Sequence, residues 1–73
     1  MTRKYPALAA SQVIRVLRKN GFRLVSQKGS HQKWSHPAGP QVIVPVHGKK
    51  ILPIGTLKSI IEGSGIPLDS FKA

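Results

Sequence analysis

His31 is the residue whose type and surroundings best suit acid–base chemistry. It follows a Lys28-Gly29 turn and shares one face of an alternating segment with Lys33. Histidine is the side chain best suited to act as a base near neutral pH, a nearby cation can stabilise charge on a phosphate, and Gly29 would let a phosphate approach the backbone closely. Because RNA supplies its own nucleophile, the 2′-hydroxyl, one histidine beside lysines is sufficient for a minimal ribonuclease site.

The group that would protonate the leaving oxygen is not identified by the sequence. His36, His47, a lysine and water are all candidates. His36 precedes Pro37 in a loop, where a histidine without a catalytic role is expected, whereas His47 opens a basic loop and could contact RNA. The strand pattern alone is also compatible with His31 as an exposed histidine without a role.

Two other kinds of site are disfavoured. A metal site needs several converging ligands, commonly with acids or thiolates, but the chain has no cysteine, its acids are Glu62 and Asp69, and its three histidines are irregularly spaced. A serine hydrolase triad is disfavoured because no acid lies near a histidine in sequence. We therefore expect no metal and no other cofactor.

The charge of the chain indicates its class of partner. Twelve lysines and arginines against two acids give a net charge of +10 on 73 residues, and such a field attracts nucleic acid, anionic lipid or an acidic protein. Nucleic acid is favoured over membrane, because no long amphipathic basic helix is visible and no apolar run approaches the roughly 20 residues of a span. The basic N-terminus lacks the apolar stretch of a signal peptide, so we expect a cytoplasmic protein.

Basic residues near the histidines are the candidate phosphate contacts. Lys58 lies on a predicted helix, and the backbone N–H groups at the start of that helix, near Gly55 and Thr56, could also meet a phosphate. Trp34 could stack on a base, but it alternates away from His31, which favours the core. The predicted RNA-binding residues are Lys28, Gly29, Ser30, Lys33, His47, Lys49, Lys50 and Lys58.

Two helices and three strands must position these residues. Val13, Ile14 and Leu17 fall at helical spacing and predict a first helix that Ser11 caps and Gly21 ends. Alternating or β-rich segments predict strands over residues 22–27, 30–35 and 41–46, the first of them half-buried, with a proline near the end of the third. A second helix follows from the spacing of leucine and isoleucine after residue 53, and glycines at 63–65 stop it.

The order of these elements predicts an α+β fold. Short connections imply a three-stranded antiparallel sheet, and two amphipathic helices on one of its faces give two layers. The chain is one domain over residues 1–73, with a loose leading segment at residues 1–10 and a short C-terminal tail at residues 67–73, where Phe71 packs back. The predicted core residues are Phe22, Leu24, Trp34, Ile43, Leu57 and Ile60.

These segments resemble a known family, the HicA-type toxins of bacterial toxin–antitoxin pairs. The resemblance extends from Ser11 to about Ile66, and it is specific where the Gly29-Ser30-His31 turn and the Gly55-Thr56-Leu57 helix start occur together. The matching segments are Leu17-Arg18-Lys19-Asn20-Gly21-Phe22, Lys28-Gly29-Ser30-His31-Gln32-Lys33-Trp34, Val42-Ile43-Val44-Pro45 with His47, and Ile54-Gly55-Thr56-Leu57-Lys58-Ser59-Ile60-Ile61.

The resemblance implies a fold, an activity and a partner. It implies a double-stranded-RNA-binding-like fold, cleavage of mRNA without metal, a catalytic histidine that maps to His31, and a HicB-type antitoxin. A toxin of charge +10 would suit an acidic antitoxin that covers the catalytic face, and we expect a monomer without it. A non-catalytic RNA-binding module of the same fold and an architectural DNA-binding protein are the alternatives.

Overall fold

The computed structural model describes residues 4–72 and has the predicted order of elements. Helix α1 (Ala10–Lys19) precedes strands β1 (Arg23–Lys28), β2 (His31–Ser35) and β3 (Gln41–Pro45). Helix α2 (Ile54–Ser64) and a C-terminal 3-10 turn (Leu68–Phe71) follow. The α-β-β-β-α order confirms the α+β class, and Pro45 ends its strand as predicted. Within the described residues, neither helix is long and apolar enough to cross a membrane.

The register of the sheet assigns each side chain to a face. The strands form one antiparallel sheet in the order β1-β2-β3, and residues directly opposite each other in such a sheet share a face. His31 lies opposite Lys28 of β1 and Pro45 of β3, whereas Trp34 lies opposite Val42. Side chains alternate between the two faces along a strand, and His31 and Trp34 are three positions apart on β2. His31 with its partners therefore lies on one face of the sheet, and Trp34 with its partners lies on the other.

Both helices pack on the face that carries Trp34, as predicted. A single cluster of buried side chains joins the two helices to this face, and Trp34 is its largest member, with 2% of its surface exposed. Phe22, Leu57 and Ile60 also belong to the core, as the sequence indicated. The cluster further includes Val13 and Leu17 of α1, Ile61 of α2, and Val42 and Val44 of β3.

Two of the predicted core residues, Leu24 and Ile43, are exposed. All of β1 is exposed, including Leu24 at 44%, because both helices pack against β3 and leave the opposite edge of the sheet uncovered. Ile43 is 49% exposed because it alternates with the buried Val42 and Val44 and so faces away from the helices. The prediction of a half-buried first strand was therefore wrong.

The start of α1 also differs from the prediction. Ser11 is not the cap: Ala9 occupies the cap position, and its backbone N–H donates to Oε1 of Gln12 at 2.9 Å. A glutamine in the first turn can reach back in this way and satisfy a backbone donor that the helix itself leaves free. The helix can therefore begin at Ala10 without a capping hydroxyl.

The two ends of the chain are more closely packed than a loose leading segment and a short tail would be. Leu8 is buried, and its carbonyl oxygen accepts a hydrogen bond from the N–H of Leu52 at 2.8 Å. At the other end, the C-terminal turn buries Phe71 to 2% exposure, which confirms that it packs back. Residues 1–3 of the leading segment and residue 73 lie outside the described residues.

Gly21 links α1 to the sheet in a conformation that suits glycine. Its φ is +87°, and a Cβ atom at this position would lie 3.0 Å from Nε2 of His36. The His36 ring cannot easily withdraw, because Nδ1 accepts a hydrogen bond from the N–H of Ala38 at 2.9 Å and the ring stands edge-on to Phe22 at 5.2 Å between centroids.

We expect Gly21→Ala to lower the free energy of unfolding by about 2–3 kcal/mol, from left-handed strain and from overpacking against His36. Gly48→Ala is the matched control, because Gly48 has a φ of +61° but open space around it. The control should lose only the strain, about 1–2 kcal/mol. Equal losses in urea unfolding would show that the contact with His36 contributes nothing.

Candidate functional site

His31 is the first residue of β2 and lies directly after the turn that joins it to β1. Gly29 and Ser30 form this two-residue connection, and Gly29 adopts a φ of +60°. The His31 side chain is exposed and points to the face of the sheet opposite Trp34, as the alternation predicted. Its imidazole is therefore open to a large substrate.

Two lysines flank His31 on the helix-free face. Lys28 lies directly opposite His31 on β1, where facing side chains begin about 5 Å apart. Lys33 lies two residues further along β2 on the same face, about 7 Å away. The two acids, Glu62 and Asp69, belong to α2 and the C-terminal turn, which leaves this row of side chains cationic. The structure thus brings together Lys28, His31 and Lys33.

The loop after β3 is tied to the turn that carries His31. The N–H of Val46 donates to the carbonyl oxygen of Ser30 at 2.7 Å, which extends the contact between β2 and β3 beyond the last ladder pair. His47 comes next in the chain, only two residues after Pro45, the β3 partner of His31. His31 and His47 therefore lie at the same end of the sheet.

His47 and Lys50 line a cavity of about 340 Å³ at this end of the sheet. Pro45 lines it as well, so the cavity adjoins the row that contains His31. Lys49 lies exposed in the turn next to it. The rest of the lining is formed by Ile51, Leu52, Pro53 and Thr56.

The remaining candidates lie elsewhere. His36 follows the other end of β2, five residues from His31, which corresponds to about 16 Å along an extended strand. Lys58 is exposed on α2 but lies two positions after the cavity-lining Thr56, and residues two apart on a helix do not share a face. Gly55 and Thr56 are in the first turn of α2, where Thr56 lines the cavity.

A second basic cluster lies between α1 and the C-terminal turn. Arg15, Lys19 and Lys72 line a cavity of about 480 Å³ there. Arg15 and Lys19 belong to α1, and Lys72 follows the C-terminal turn, so their proximity depends on how that turn packs and does not follow from the sequence. A further groove of about 500 Å³ between β3 and α2 is lined by no titratable side chain. Across residues 4–72, no three side chains of metal-binding type come together.

Comparison with protein-family models assigns the chain to a family. The family model described as HicA toxin of bacterial toxin-antitoxin matches residues 10–66, more than three quarters of the chain. The chain belongs to the HicA toxin family. The matched segment starts with α1 and ends just after α2, so it includes the whole sheet, His31 and His47. A search of curated proteins found no match.

In this HicA-family chain, a series of side-chain hydrogen bonds links Trp34 in the core to the turn that precedes His31. The indole N–H of Trp34 donates to Gln32 at 3.1 Å, the Gln32 amide donates to Gln27 at 3.3 Å, and the Gln27 amide donates to the carbonyl oxygen of Gly29 at 3.1 Å. The sequence did not predict this arrangement. Alternation places Gln32 on the face of Trp34, but it places Gln27 on the face opposite Leu24. Only the irregular register between Leu24 and Ser26 brings Gln27 opposite Gln32 on the core side of the sheet.

We expect Gln32→Leu to lower the free energy of unfolding by about 1–2 kcal/mol, because the buried Trp34 indole loses its acceptor. It should also speed hydrogen exchange at the indole N–H and at the backbone of the turn, both measurable by NMR. Gln41→Leu is the matched control, since Gln41 is exposed on β3. Unchanged exchange in Gln32→Leu would mean that the hydrogen bonds do not hold the turn.

Proposed function

We propose that this HicA-family protein is an endoribonuclease that cleaves mRNA without a metal ion and uses His31 as its general base. The observation that carries the proposal is the row of Lys28, His31 and Lys33 on the open face of the sheet. A flat face of this kind admits an RNA strand, and the row supplies both a base and cations at the same position.

In the proposed mechanism, the RNA provides the nucleophile and the protein provides the base. His31 removes the proton from a 2′-hydroxyl, and the resulting oxygen attacks the adjacent phosphorus. Lys28 and Lys33 stabilise the negative charge that grows on the phosphate oxygens. The products are a 2′,3′-cyclic phosphate and a 5′-hydroxyl end. DNA has no 2′-hydroxyl, so it would bind without being cleaved.

RNA binding in this proposal rests on phosphate contacts distributed along one end of the molecule. Gly29 and Ser30 offer a backbone that a phosphate can approach, and Lys49 and Lys50 extend the positive charge beyond the sheet. Each phosphate that a cation neutralises releases counterions, so the affinity should fall as salt rises. The net charge of +10 supports this mode of binding.

We further propose that a HicB-type antitoxin neutralises this activity in the cytoplasm. An acidic antitoxin would be drawn to the same cationic face and would exclude RNA from His31. Without it, the protein would be a monomer. Membership of a toxin–antitoxin family supports the existence of a protein partner, and the charge supports its acidic character.

We expect His31→Ala to lower the cleavage rate by ~10²–10⁴-fold, the usual contribution of a general base, while the fold and most of the RNA affinity persist. His31 is exposed, so its truncation opens no cavity. Single-turnover cleavage of labelled RNA, with chelator present, measures the effect. The wild-type rate should also fall as the solution becomes acidic enough to protonate imidazole, because imidazolium cannot accept the proton.

His36→Asn is the matched control for His31→Ala, because an asparagine oxygen can replace Nδ1 as the acceptor for Ala38. Its cleavage rate should equal that of the wild type. Full activity of His31→Ala, or loss of wild-type activity in chelator, would contradict the proposed mechanism. If the purified wild type bound RNA but never shortened it, the chain would be a non-catalytic RNA-binding module, and a preference for duplex DNA would indicate an architectural DNA-binding protein.

We expect Lys28→Gln and Lys33→Gln each to flatten the salt dependence of RNA affinity by about 0.7 in the log–log slope, the value for one phosphate contact on a single strand. Lys19→Gln removes the same charge from α1 and is the control. Fluorescence anisotropy over a range of salt concentrations measures the slopes. If all three variants changed the slope equally, the effect would come from net charge, not from contacts beside His31.

A further inference from the structure

We propose that His47 is the general acid that protonates the leaving 5′-oxygen. This inference rests on the proposed function, in which His31 takes the proton from the 2′-hydroxyl. Displacement of the 5′-oxygen would otherwise release an alkoxide, which is a poor leaving group, so a proton donor is needed on that side of the phosphate. The identity of that donor follows from which groups the fold places near His31.

The register of the sheet brings His47 close to His31. The Cα atoms of His31 and Pro45, which are opposite each other, are about 5 Å apart. His47 is two residues beyond Pro45, at most about 7 Å of chain. The hydrogen bond from the N–H of Val46 to Ser30 keeps this part of the loop against the turn. The two histidines thus lie within about 12 Å of each other, a separation at which two side chains can approach one phosphodiester from different sides.

The surroundings of His47 suit the leaving side of the substrate. It lines the cavity of about 340 Å³ at the end of the sheet, whose lining also includes the apolar residues Ile51 and Leu52. A base or ribose of the leaving nucleoside can enter this cavity, and Lys50 on its wall can contact the phosphate that follows. Of the charged groups on this side of the molecule, Lys50 lines the same cavity and Lys49 lies in the same loop, whereas Lys28 is on β1, beyond His31.

The other titratable groups are less suitable. His36 lies at the far end of the sheet, and its Nδ1 accepts a hydrogen bond from the N–H of Ala38. Lysine side chains are close to His31, but an ammonium holds its proton much more tightly than an imidazolium does, so it is a weak general acid near neutral pH. Among the residues that the structure describes, His47 combines a suitable chemical type with a position beside the site.

The proposed step conserves atoms and protons. The 2′-hydroxyl proton goes to His31 as the bond between the 2′-oxygen and phosphorus forms. The bond between phosphorus and the 5′-oxygen breaks, and that oxygen receives the proton of protonated His47. The reaction leaves a protonated His31 and a neutral His47. Both side chains are exposed, so exchange with water restores the starting state.

The test compares two RNA linkages that differ in the leaving atom. In a 5′-bridging phosphorothiolate, sulfur replaces the leaving oxygen, and a thiolate departs without protonation. We expect His47→Ala to cleave ordinary RNA ~10²–10⁴-fold more slowly than the wild type, but to cleave the phosphorothiolate at close to the wild-type rate. His31→Ala should be slow on both linkages, and His36→Asn should be normal on both.

The pH dependence of kcat/KM gives a second readout. With one histidine as base and another as acid, the profile is bell-shaped, because the first must be neutral and the second protonated. His47→Ala should lose the decline at higher pH and keep the decline at lower pH. Circular dichroism verifies that the variant is folded, which its exposed position favours.

Two results would overturn the assignment of His47. Equal slowing on both linkages, with an increase in KM, would show that His47 only binds RNA. A normal rate on both linkages would show that it has no role. In either case a large loss in His31→Ala would leave the proposed function intact, whereas full activity of His31→Ala would contradict that function itself.

Discussion

The burial of Trp34 is the constraint on which the rest of the molecule depends. A chain of 73 residues has a small core, and this indole is its largest fully buried side chain. Side chains alternate along a strand, so placing Trp34 inward fixes His31 and Lys33 outward. A slip of one residue in the register would bury both basic side chains and expose the indole. The same interaction that holds the sheet to the helices therefore also orients the candidate site.

The two faces of the sheet have different roles, one structural and the other chemical. One face is covered by the helices and holds the apolar residues, while the other is open and carries Lys28, His31 and Lys33 beside the exposed Ile43. Like charges on one open surface repel each other and destabilise the free protein. A polyanion relieves that repulsion when it binds, which makes the open face suited to RNA or to an acidic protein.

The candidate site is made by parts of the chain that are distant in sequence. The turn before His31 is supported from below by the glutamines that link it to Trp34, and from the side by the contact between Ser30 and Val46. The second of these contacts places His47 next to the turn. Membership of the HicA toxin family gives this arrangement a biological context, and the supporting contacts explain how a domain with so small a core can hold a defined site.

The sequence alone determined the order of the elements, the antiparallel sheet, the inward Trp34 and the outward His31, because helical and strand periodicities are local properties of the chain. It did not determine which edge of the sheet the helices cover. Leu24 is exposed because the helices pack against β3 and leave β1 uncovered. Ile43 is exposed because it faces away from the helices, and a run of consecutive β-branched residues does not show which of them face inward. Only the tertiary structure decided that His47 lies at the same end of the sheet as His31, whereas His36 lies at the other end. Proximity between distant residues depends on the pairing of β2 with β3, and this pairing is a property of the packed sheet as a whole.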